Sequence, residues 1–235
     1  MATFVLVHGA WHGGWCYGRV AKKLRAAGHD VYTPTHTGVG ERSHIAGRHV
    51  TLTTHIEDIA NVLRYENLSD VIMCGHSYGG MVITGVAAEM GERIKTLFYL
   101  DAFLPEDGQS LFDLLPPDTQ AQFLTLVKTT GGMLPPIPAV AFNVNAADAA
   151  WVDRTCVPQS LLTFTEGVKY SSKVAAVPNR TYVLATGYDL HVFDKFYDKV
   201  KSDPKWKAHT VSCGHDVMLD QPDELTRLLL EEVKR

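Results

Sequence analysis

Short apolar runs alternate with helix-patterned stretches along most of the chain. This alternation predicts a parallel sheet covered by helices on both faces. Helix-end signals mark the intervening stretches: CYGRVAKKLRAAG ends at Gly28, and Thr53 or Thr54 can cap TTHIEDIANVLRYE. The closing stretch PDELTRLLLEEVK starts with proline and acidic residues, as the first turn of a helix favours. The six strand candidates are TFVLV (3–7), DVYTP (30–34), DVIMC (70–74), IKTLFYL (94–100), RTYVLAT (180–186) and KAHTVS (207–212).

The alternation breaks once, between Pro105 and Pro178. This stretch contains eight of the chain's 11 prolines and a GG pair at 131 and 132. We expect it to be an insertion of short helices that lies over the sheet as a lid and shapes a substrate pocket. With 235 residues and 46% hydrophobic content, the chain is long enough for one substantial core. We therefore predict a single domain over 1–235, with the core at 1–104 and 179–235 and the lid at about 105–178.

The charge balance argues against polyanionic partners. Asp and Glu number 26 against 22 Lys and Arg, and the cationic pieces KKLR and KWK are short. We therefore expect neither a nucleic-acid nor a membrane partner. The four cysteines lack CxxC spacing, which favours free thiols in a reducing compartment over disulfides or a zinc site. Because no apolar run approaches a signal segment or a membrane span in length, we expect a cytoplasmic protein.

Ser77 lies where a strand candidate meets a helix candidate, in the phrase CGHSYGG. Glycines two positions away on either side indicate a backbone turn too sharp to accommodate side chains. A GxSxG pattern in this context is typical of a nucleophile elbow, which presents the serine at the carboxyl end of its strand. We take Ser77 as the candidate nucleophile, and such a serine needs a base within hydrogen-bond reach.

His215 is the candidate base. The phrase SCGHDVML places it in a glycine-containing loop after the last strand and before the final helix. His29 and His209, by contrast, look like surface or strand-edge residues. His8 and His12 lack the HExxH context of a zinc site, so we expect no metal and no cofactor.

A candidate oxyanion hole follows the first strand, in HGAWHGGW at 8–15. Its glycines let the backbone approach a ligand closely. We predict that the N–H groups of Ala10 and Tyr78 bind the oxyanion of a tetrahedral intermediate. The stretch matches neither a P-loop nor a dinucleotide-binding glycine pattern.

HGAWHGGW, GHSYGG and GHD, in that order and with a central lid, resemble the α/β-hydrolase fold over nearly the whole chain. More narrowly, they are similar to the plant methylesterase and hydroxynitrile lyase family and its bacterial esterase relatives. Hydroxynitrile lyases of this family have a threonine at the position of Ala10 and a lysine at the position of Asp216. Because alanine supplies no hydroxyl and aspartate cannot stabilise departing cyanide, the resemblance implies ester hydrolysis here rather than lyase chemistry.

The acid that orients His215 has two main candidates. The resemblance implies an acid after the strand that follows the lid, and Asp189 in ATGYDLH fits, although one extra residue precedes it. Asp101, which ends strand IKTLFYL, is the alternative, because some α/β-hydrolases take the acid from this strand and bacterial relatives similarly read LDAF. An acid at the end of a buried strand also needs a polar partner, which His215 would provide. We favour Asp101 over Asp189, with Asp194 and Asp216 as more remote candidates.

These residues predict a serine hydrolase that cleaves carboxylic esters of small or aromatic substrates through an acyl-enzyme intermediate, without a cofactor. An amide or carbamate hydrolase on the same triad, a hydroxynitrile lyase and a ligand receptor are the alternatives. We expect the partner to be a small-molecule ester and allow for a homodimer. Arg42 or His44 could meet a polar substrate group. The candidate substrate-binding residues, which could equally be core packing, are Trp11, His12, Tyr78, Phe103, Phe123 and Trp151.

Overall fold

The computed structural model describes all 235 residues and contains a sheet of six parallel strands in the order β2-β1-β3-β4-β7-β8. The six predicted strands are all present, and the sheet is entirely parallel. In chain order the strands are β1 (Thr3–Val7), β2 (Asp30–Tyr32), β3 (Val71–His76), β4 (Ile94–Leu100), β5 (Met133–Leu134), β6 (Gln159–Ser160), β7 (Asn179–Ala185) and β8 (Trp206–Val211).

Helices cover both faces of this sheet. From β1 to β2 the chain moves towards one edge of the sheet, and from β2 through β3 to β4 it moves towards the other edge. Because the crossovers are right-handed, the helix of the first connection lies on one face and the helices of the next two connections lie on the opposite face. None of the helices is long and apolar enough to cross a membrane. The helices are α1 (Gly18–Ala26), α2 (Leu52–Tyr65), α3 (Gly79–Met90), α4 (Leu111–Leu114), α5 (Pro117–Val127), α6 (Ala149–Thr155), α7 (Leu162–Thr165), α8 (Ser172–Ala176), α9 (Asp194–Val200), α10 (Val217–Asp220) and α11 (Pro222–Val233).

Strands β3 and β4 lie at the centre of the sheet, and nearly all of their residues are buried. This burial on both faces explains why their sequences are continuous apolar runs rather than alternating ones. The strand order reverses between β1 and β3, which leaves a crevice beyond their carboxyl ends. In open parallel sheets such a crevice is where ligands bind.

The start of α2 differs from the prediction. Thr51, not Thr53 or Thr54, is the N-cap, and it forms a capping box with Thr54. Thr53 is engaged elsewhere: its N–H and its hydroxyl both donate to the carboxylate of Glu166, 113 residues further along the chain. A contact this distant in sequence cannot be recognised from local capping signals.

The segment between β4 and β7 contains the residues predicted to form the lid. It carries the five short helices α4 to α8 and a small antiparallel pair, β5 and β6. Its prolines begin helices and border turns, as at Pro117 in the first turn of α5. Phe123 of α5 and Phe164 of α7 point inward and are buried against the rest of the core.

Helix α3 lies very close to its neighbours because it begins with two glycines. A Cβ on Gly79 would lie 2.8 Å from the Val7 carbonyl oxygen, and one on Gly80 would lie 2.1 Å from the Phe103 carbonyl oxygen. No side chain fits at either distance. The glycines after Ser77 are therefore required by packing as well as by the turn.

Alanine substitution tests this close packing. We expect Gly80→Ala to lower the free energy of unfolding by about 1–3 kcal/mol or more, since its Cβ must displace the Phe103 backbone. Gly18→Ala is the matched control, because Gly18 is helical and its Cβ would meet no atom within 4 Å. It should stabilise the protein by about 0.5 kcal/mol in urea denaturation. Equal effects of the two substitutions would contradict this description.

Candidate active site

Ser77 lies in the sharp turn between β3 and α3, with a φ of 52°. This left-handed conformation is sparsely populated by residues with a Cβ and is found at functional sites. The surrounding backbone holds it: the Ser77 N–H donates to the Leu100 carbonyl, and the Ser77 carbonyl accepts from Gly80 and Phe103. The serine is partly exposed and lies at the amino end of α3, where the helix dipole favours negative charge. This geometry is that of a nucleophile elbow.

His215 lies in the loop after β8 and is held from three sides. Its backbone N–H donates to the Phe142 carbonyl at 2.9 Å. Its ring stacks on Phe193, with centroids 5.1 Å apart. Its Nδ1–H donates to Asp101 Oδ2 at 2.6 Å. With Nδ1 serving as the donor, Nε2 is the nitrogen available to accept a proton from a nucleophile.

Asp101 follows β4 directly and is completely buried. Its Oδ1 accepts from the Ala185 N–H at 3.0 Å, and its Oδ2 accepts from the Tyr188 hydroxyl at 2.6 Å and from His215. A buried carboxylate is stable only when its oxygens are satisfied in this way. Burial and the neighbouring carboxylate of Asp101 raise the pKa of Tyr188 well above its ordinary value, so Tyr188 remains a donor.

The other candidate acids do not reach His215. Asp189 is exposed, and the residue before it, Tyr188, occupies the position beside Asp101 instead. Asp194 pairs with His191 at 2.9 Å on the surface. Asp216 directs its carboxylate to His12 at 3.1 Å. The structure thus brings Asp101 and His215 together and leaves the three alternatives apart.

The two predicted oxyanion donors both border the same cavity as Ser77 and His215. Neither the Ala10 N–H nor the Tyr78 N–H donates to an acceptor in the protein. The loop that carries Ala10 is anchored at the next residue, since the Trp11 N–H donates to Gln159 Oε1 at 2.9 Å and the indole donates to the Leu134 carbonyl. The strand pair β5 and β6 therefore anchors the loop that carries Ala10 and Trp11.

The cavity has a volume of about 340 Å³ and is lined by 20 residues, of which 16 are hydrophobic. Trp11, Tyr78, Phe103 and Phe123 line it, as the sequence predicts. The remaining lining residues are Ala10, Ser77, Leu111, Leu115, Thr119, Gln122, Leu126, Ile137, Ala141, Phe142, Phe164, Tyr188, Leu190, Val192, Phe193 and His215.

Two predicted substrate-binding residues do not reach this cavity. His12 is turned away, because its ring binds the Ala10 carbonyl at 2.8 Å and Asp216. Trp151 packs edge-on against Trp15, with ring centroids 4.7 Å apart. These two positions are therefore corrected: neither residue lines the cavity, since His12 is bonded to Asp216 and Trp151 is packed on Trp15.

Arg42 and His44 also lie apart from the cavity. Arg42 donates to Asp58 and to the Thr35 carbonyl, and His44 is exposed on the same loop. The structure does not support either of them as a contact for a substrate in this cavity.

Sequence reasoning missed Tyr188 and Gln159. Tyr188 directly precedes Asp189, and nothing in the local sequence marks its hydroxyl as the donor to the buried Asp101. Gln159 is buried in the lid and bonds a loop 148 residues away in sequence. No local pattern marks such an amide, so its contact emerges only from the fold.

Three neutral histidines form a buried cluster near the predicted oxyanion donors. His36 lies between His8, at 4.2 Å, and His55, at 4.6 Å between ring centroids. His55 donates to the Thr37 carbonyl and accepts from the Tyr78 hydroxyl at 2.9 Å, which anchors the Tyr78 side chain. Burial lowers the pKa of His8 to about 3 and the pKa of His55 to about 4.

An open parallel sheet with this serine turn at its switch point defines the α/β hydrolase class. The sequence profile of the alpha/beta hydrolase family matches residues 4–228. A "Carbendazim hydrolyzing esterase" from Nocardioides sp. (strain SG-4G) is 50% identical over 238 residues, which cover 97% of this chain and 98% of that protein. The chain therefore belongs to the α/β hydrolase family, and it is an enzyme of the ester hydrolase class.

Two further similarities agree with this assignment. Methylesterase 1 of Arabidopsis thaliana is 32% identical over 118 residues, which cover 46% of this chain and 41% of that protein. An extracellular α/β-hydrolase from a Paenibacillus species, described as sharing structural and functional homology with tobacco salicylic acid binding protein 2, superposes with a TM-score of 0.86. At 24% identity over 99% of both chains, that likeness shows the fold. The predicted fold and the resemblance to methylesterase relatives are confirmed.

The buried neutral histidines predict a loss of stability in mild acid. Their unfolded pKa is near 6.5, so below that pH the unfolded chain binds protons that the folded chain excludes. The contribution of these histidines to stability is therefore complete above about pH 6.5 and declines as the pH falls towards 4, by up to about 1.4 kcal/mol per pH unit for each such histidine. Urea denaturation from pH 6.5 to 4.5 measures this decline. A constant free energy of unfolding over that range would contradict the neutral histidine cluster.

Proposed function

We propose that the protein is a serine hydrolase that cleaves carboxylic esters of small or aromatic substrates through an acyl-enzyme. One observation carries this proposal. Ser77, His215, Ala10 and Tyr78 line a single cavity, and the N–H groups of Ala10 and Tyr78 have no acceptor in the protein. The buried Asp101 binds Nδ1 of the His215 ring. These are the groups that acyl transfer requires: a nucleophile, a base, an orienting acid and donors for the developing negative charge.

Acylation follows from the roles of these groups. His215 Nε2 accepts the proton of Ser77 Oγ as the oxygen attacks the ester carbonyl carbon. The N–H groups of Ala10 and Tyr78 donate to the oxyanion, and the Asp101 carboxylate stabilises the imidazolium that forms. His215 then returns the proton to the departing alcohol oxygen, which leaves the acyl group on Ser77.

Deacylation repeats these steps with water as the nucleophile. His215 accepts a proton from water, the hydroxyl oxygen attacks the acyl carbon, and the tetrahedral intermediate collapses with release of the acid. Ser77 regains its proton from His215. Protein groups and water account for the whole cycle.

The lining of the cavity supports an aromatic or compact apolar substrate. Eight of the 20 lining residues are aromatic, and the volume lies at the low end of the range for small-molecule sites. Apart from the catalytic constellation and the two tyrosines, the polar lining residues are Thr119 and Gln122, one helical turn apart on α5. They are the lining side chains available to bind a polar group of the substrate outside the reacting centre.

A carbamate is the second candidate substrate class. The relative named a carbendazim hydrolyzing esterase, whose substrate is a carbamate, is similar to this chain over almost its whole length. A carbamate carbonyl offers the same electrophilic carbon to Ser77, so the site requires no additional group. The hydroxynitrile lyase alternative is disfavoured, because Asp216 faces His12 rather than a leaving group in the cavity.

Substitution of Asp101 and of Asp189 shows which of the two carboxylates orients His215. Asp101→Asn should lower kcat for p-nitrophenyl benzoate by about 10³-fold or more, because it removes the charge that orients and stabilises His215. Asp189→Asn is the matched control and should leave kcat within about twofold. The opposite result would assign the acid to Asp189 and contradict the geometry.

A paired substrate panel separates ester from carbamate hydrolysis. We expect wild-type protein to turn over p-nitrophenyl acetate and p-nitrophenyl benzoate repeatedly, and Ser77→Ala to reduce both rates by at least about 10³-fold. A methyl N-arylcarbamate in the same assay shows whether kcat/KM favours the carbamate. Release of cyanide from a cyanohydrin, or a single turnover of every ester, would instead support a lyase or a ligand receptor.

A further inference from the structure

His12 and Asp216 form a buried ion pair directly behind the active site. His12 Nε2 lies 3.1 Å from Asp216 Oδ2, and the two side chains are 5% and 0% exposed. Neither residue lines the cavity, so neither can contact a substrate there. An ion pair with so little access to water is costly to form, and its presence calls for a physical reason.

The hydrogen bonds show that His12 is an imidazolium. Its Nδ1 lies 2.8 Å from the Ala10 carbonyl oxygen, which can only accept. Its Nε2 lies beside a carboxylate, which also accepts when ionised. Both ring nitrogens must therefore carry a proton. Burial opposes this charge, but attraction to Asp216 raises the pKa of His12 well above its ordinary value.

The pair connects two loops. One carries Ala10, the proposed oxyanion donor, and the other carries His215, the proposed base. His12 is bonded to the carbonyl oxygen of Ala10, a residue that lines the cavity and whose N–H has no acceptor in the protein. Asp216 is the next residue after His215, and the His215 carbonyl accepts from His76 Nε2 at 3.0 Å. A shift of either loop would therefore change the distance between the oxyanion donor and the base.

Building on the proposed function, we propose that His12 and Asp216 are positioning residues. They hold the Ala10 N–H and His215 at the distance from each other that acyl transfer requires. The imidazolium fixes the Ala10 backbone by a charged hydrogen bond, and the carboxylate fixes the loop of His215. The carboxylate at position 216 thus has a role in this chain that does not require it to touch the substrate.

The test compares Asp216→Asn with Glu232→Gln in the full-length protein. Glu232 is a matched control, because it is a 1% exposed carboxylate paired with Arg235 and bonded to Thr181, near the amino end of β7 and away from the site. Both variants should lower Tm. Only Asp216→Asn should lower kcat for p-nitrophenyl acetate, by about 10- to 100-fold with KM changed less than about threefold.

A transition-state analogue supplies the second readout. Phenylboronic acid forms a tetrahedral adduct with a reactive serine, so its affinity should fall in Asp216→Asn by a factor similar to the loss in kcat. His12→Gln, which can still donate to the Ala10 carbonyl, should recover part of kcat relative to His12→Ala. A change in Tm alone, with kcat and boronate affinity matching Glu232→Gln, would overturn the proposal.

These measurements also separate a failure of the proposed hydrolase function from a failure of the positioning role of His12 and Asp216. If wild-type protein neither turns over the ester nor binds the boronate, the proposed serine hydrolase function is wrong. If wild type does both and Asp216→Asn matches it, the function stands and only the positioning role of the pair is overturned.

Discussion

The candidate active site depends on how one buried carboxylate is satisfied. Asp101 has no exposed surface, and donors from β7, from the loop after β7 and from the loop after β8 converge on its two oxygens. An uncompensated charge at this depth would cost several kcal/mol, so these partners are conditions for the fold as well as for the chemistry. The fold thus fixes the His215 ring before any substrate arrives.

The opposite side of the site is held by the lid. Gln159 and Leu134 belong to the short strand pair β6 and β5, and both accept hydrogen bonds from Trp11. The lid therefore does more than cover the cavity: it fixes the loop whose Ala10 N–H is the proposed oxyanion donor. Because Gln159 holds this loop, substitutions in the segment between β4 and β7 are expected to alter the rate of the proposed chemical step as well as the shape of the cavity.

Much of the fold could be predicted from the sequence, because strands buried on both faces read as continuous apolar runs. Ser77 could be found for a similar reason: the close approach of α3 requires glycines around it, and glycines are visible in a sequence. The choice between Asp101 and Asp189 was harder, since it depends on which carboxylate meets donors from separate segments. Tyr188, one of those donors, directly precedes Asp189, and no sequence pattern links its hydroxyl to Asp101.

Side-chain direction explains the remaining errors. His12 follows Trp11, which has the left-handed φ of 64°; Trp11 lines the cavity, whereas His12 binds Asp216 outside it. Trp151 resembles the cavity aromatics by residue type alone, but it packs on Trp15. Neither the left-handed conformation of Trp11 nor the packing partner of Trp151 leaves a local sequence signal. Residue type therefore identified the aromatic cavity but not all of its members.

The central claim is that Ser77 carries the acyl group during turnover. The most direct measurement is acid quenching of the protein within milliseconds of mixing with p-nitrophenyl benzoate, followed by mass spectrometry of the peptide that contains residues 71–90. The account predicts a benzoyl adduct on Ser77 that decays at the rate of turnover and is absent from Ser77→Ala. An adduct on another residue, or persistent turnover in Ser77→Ala, would contradict it.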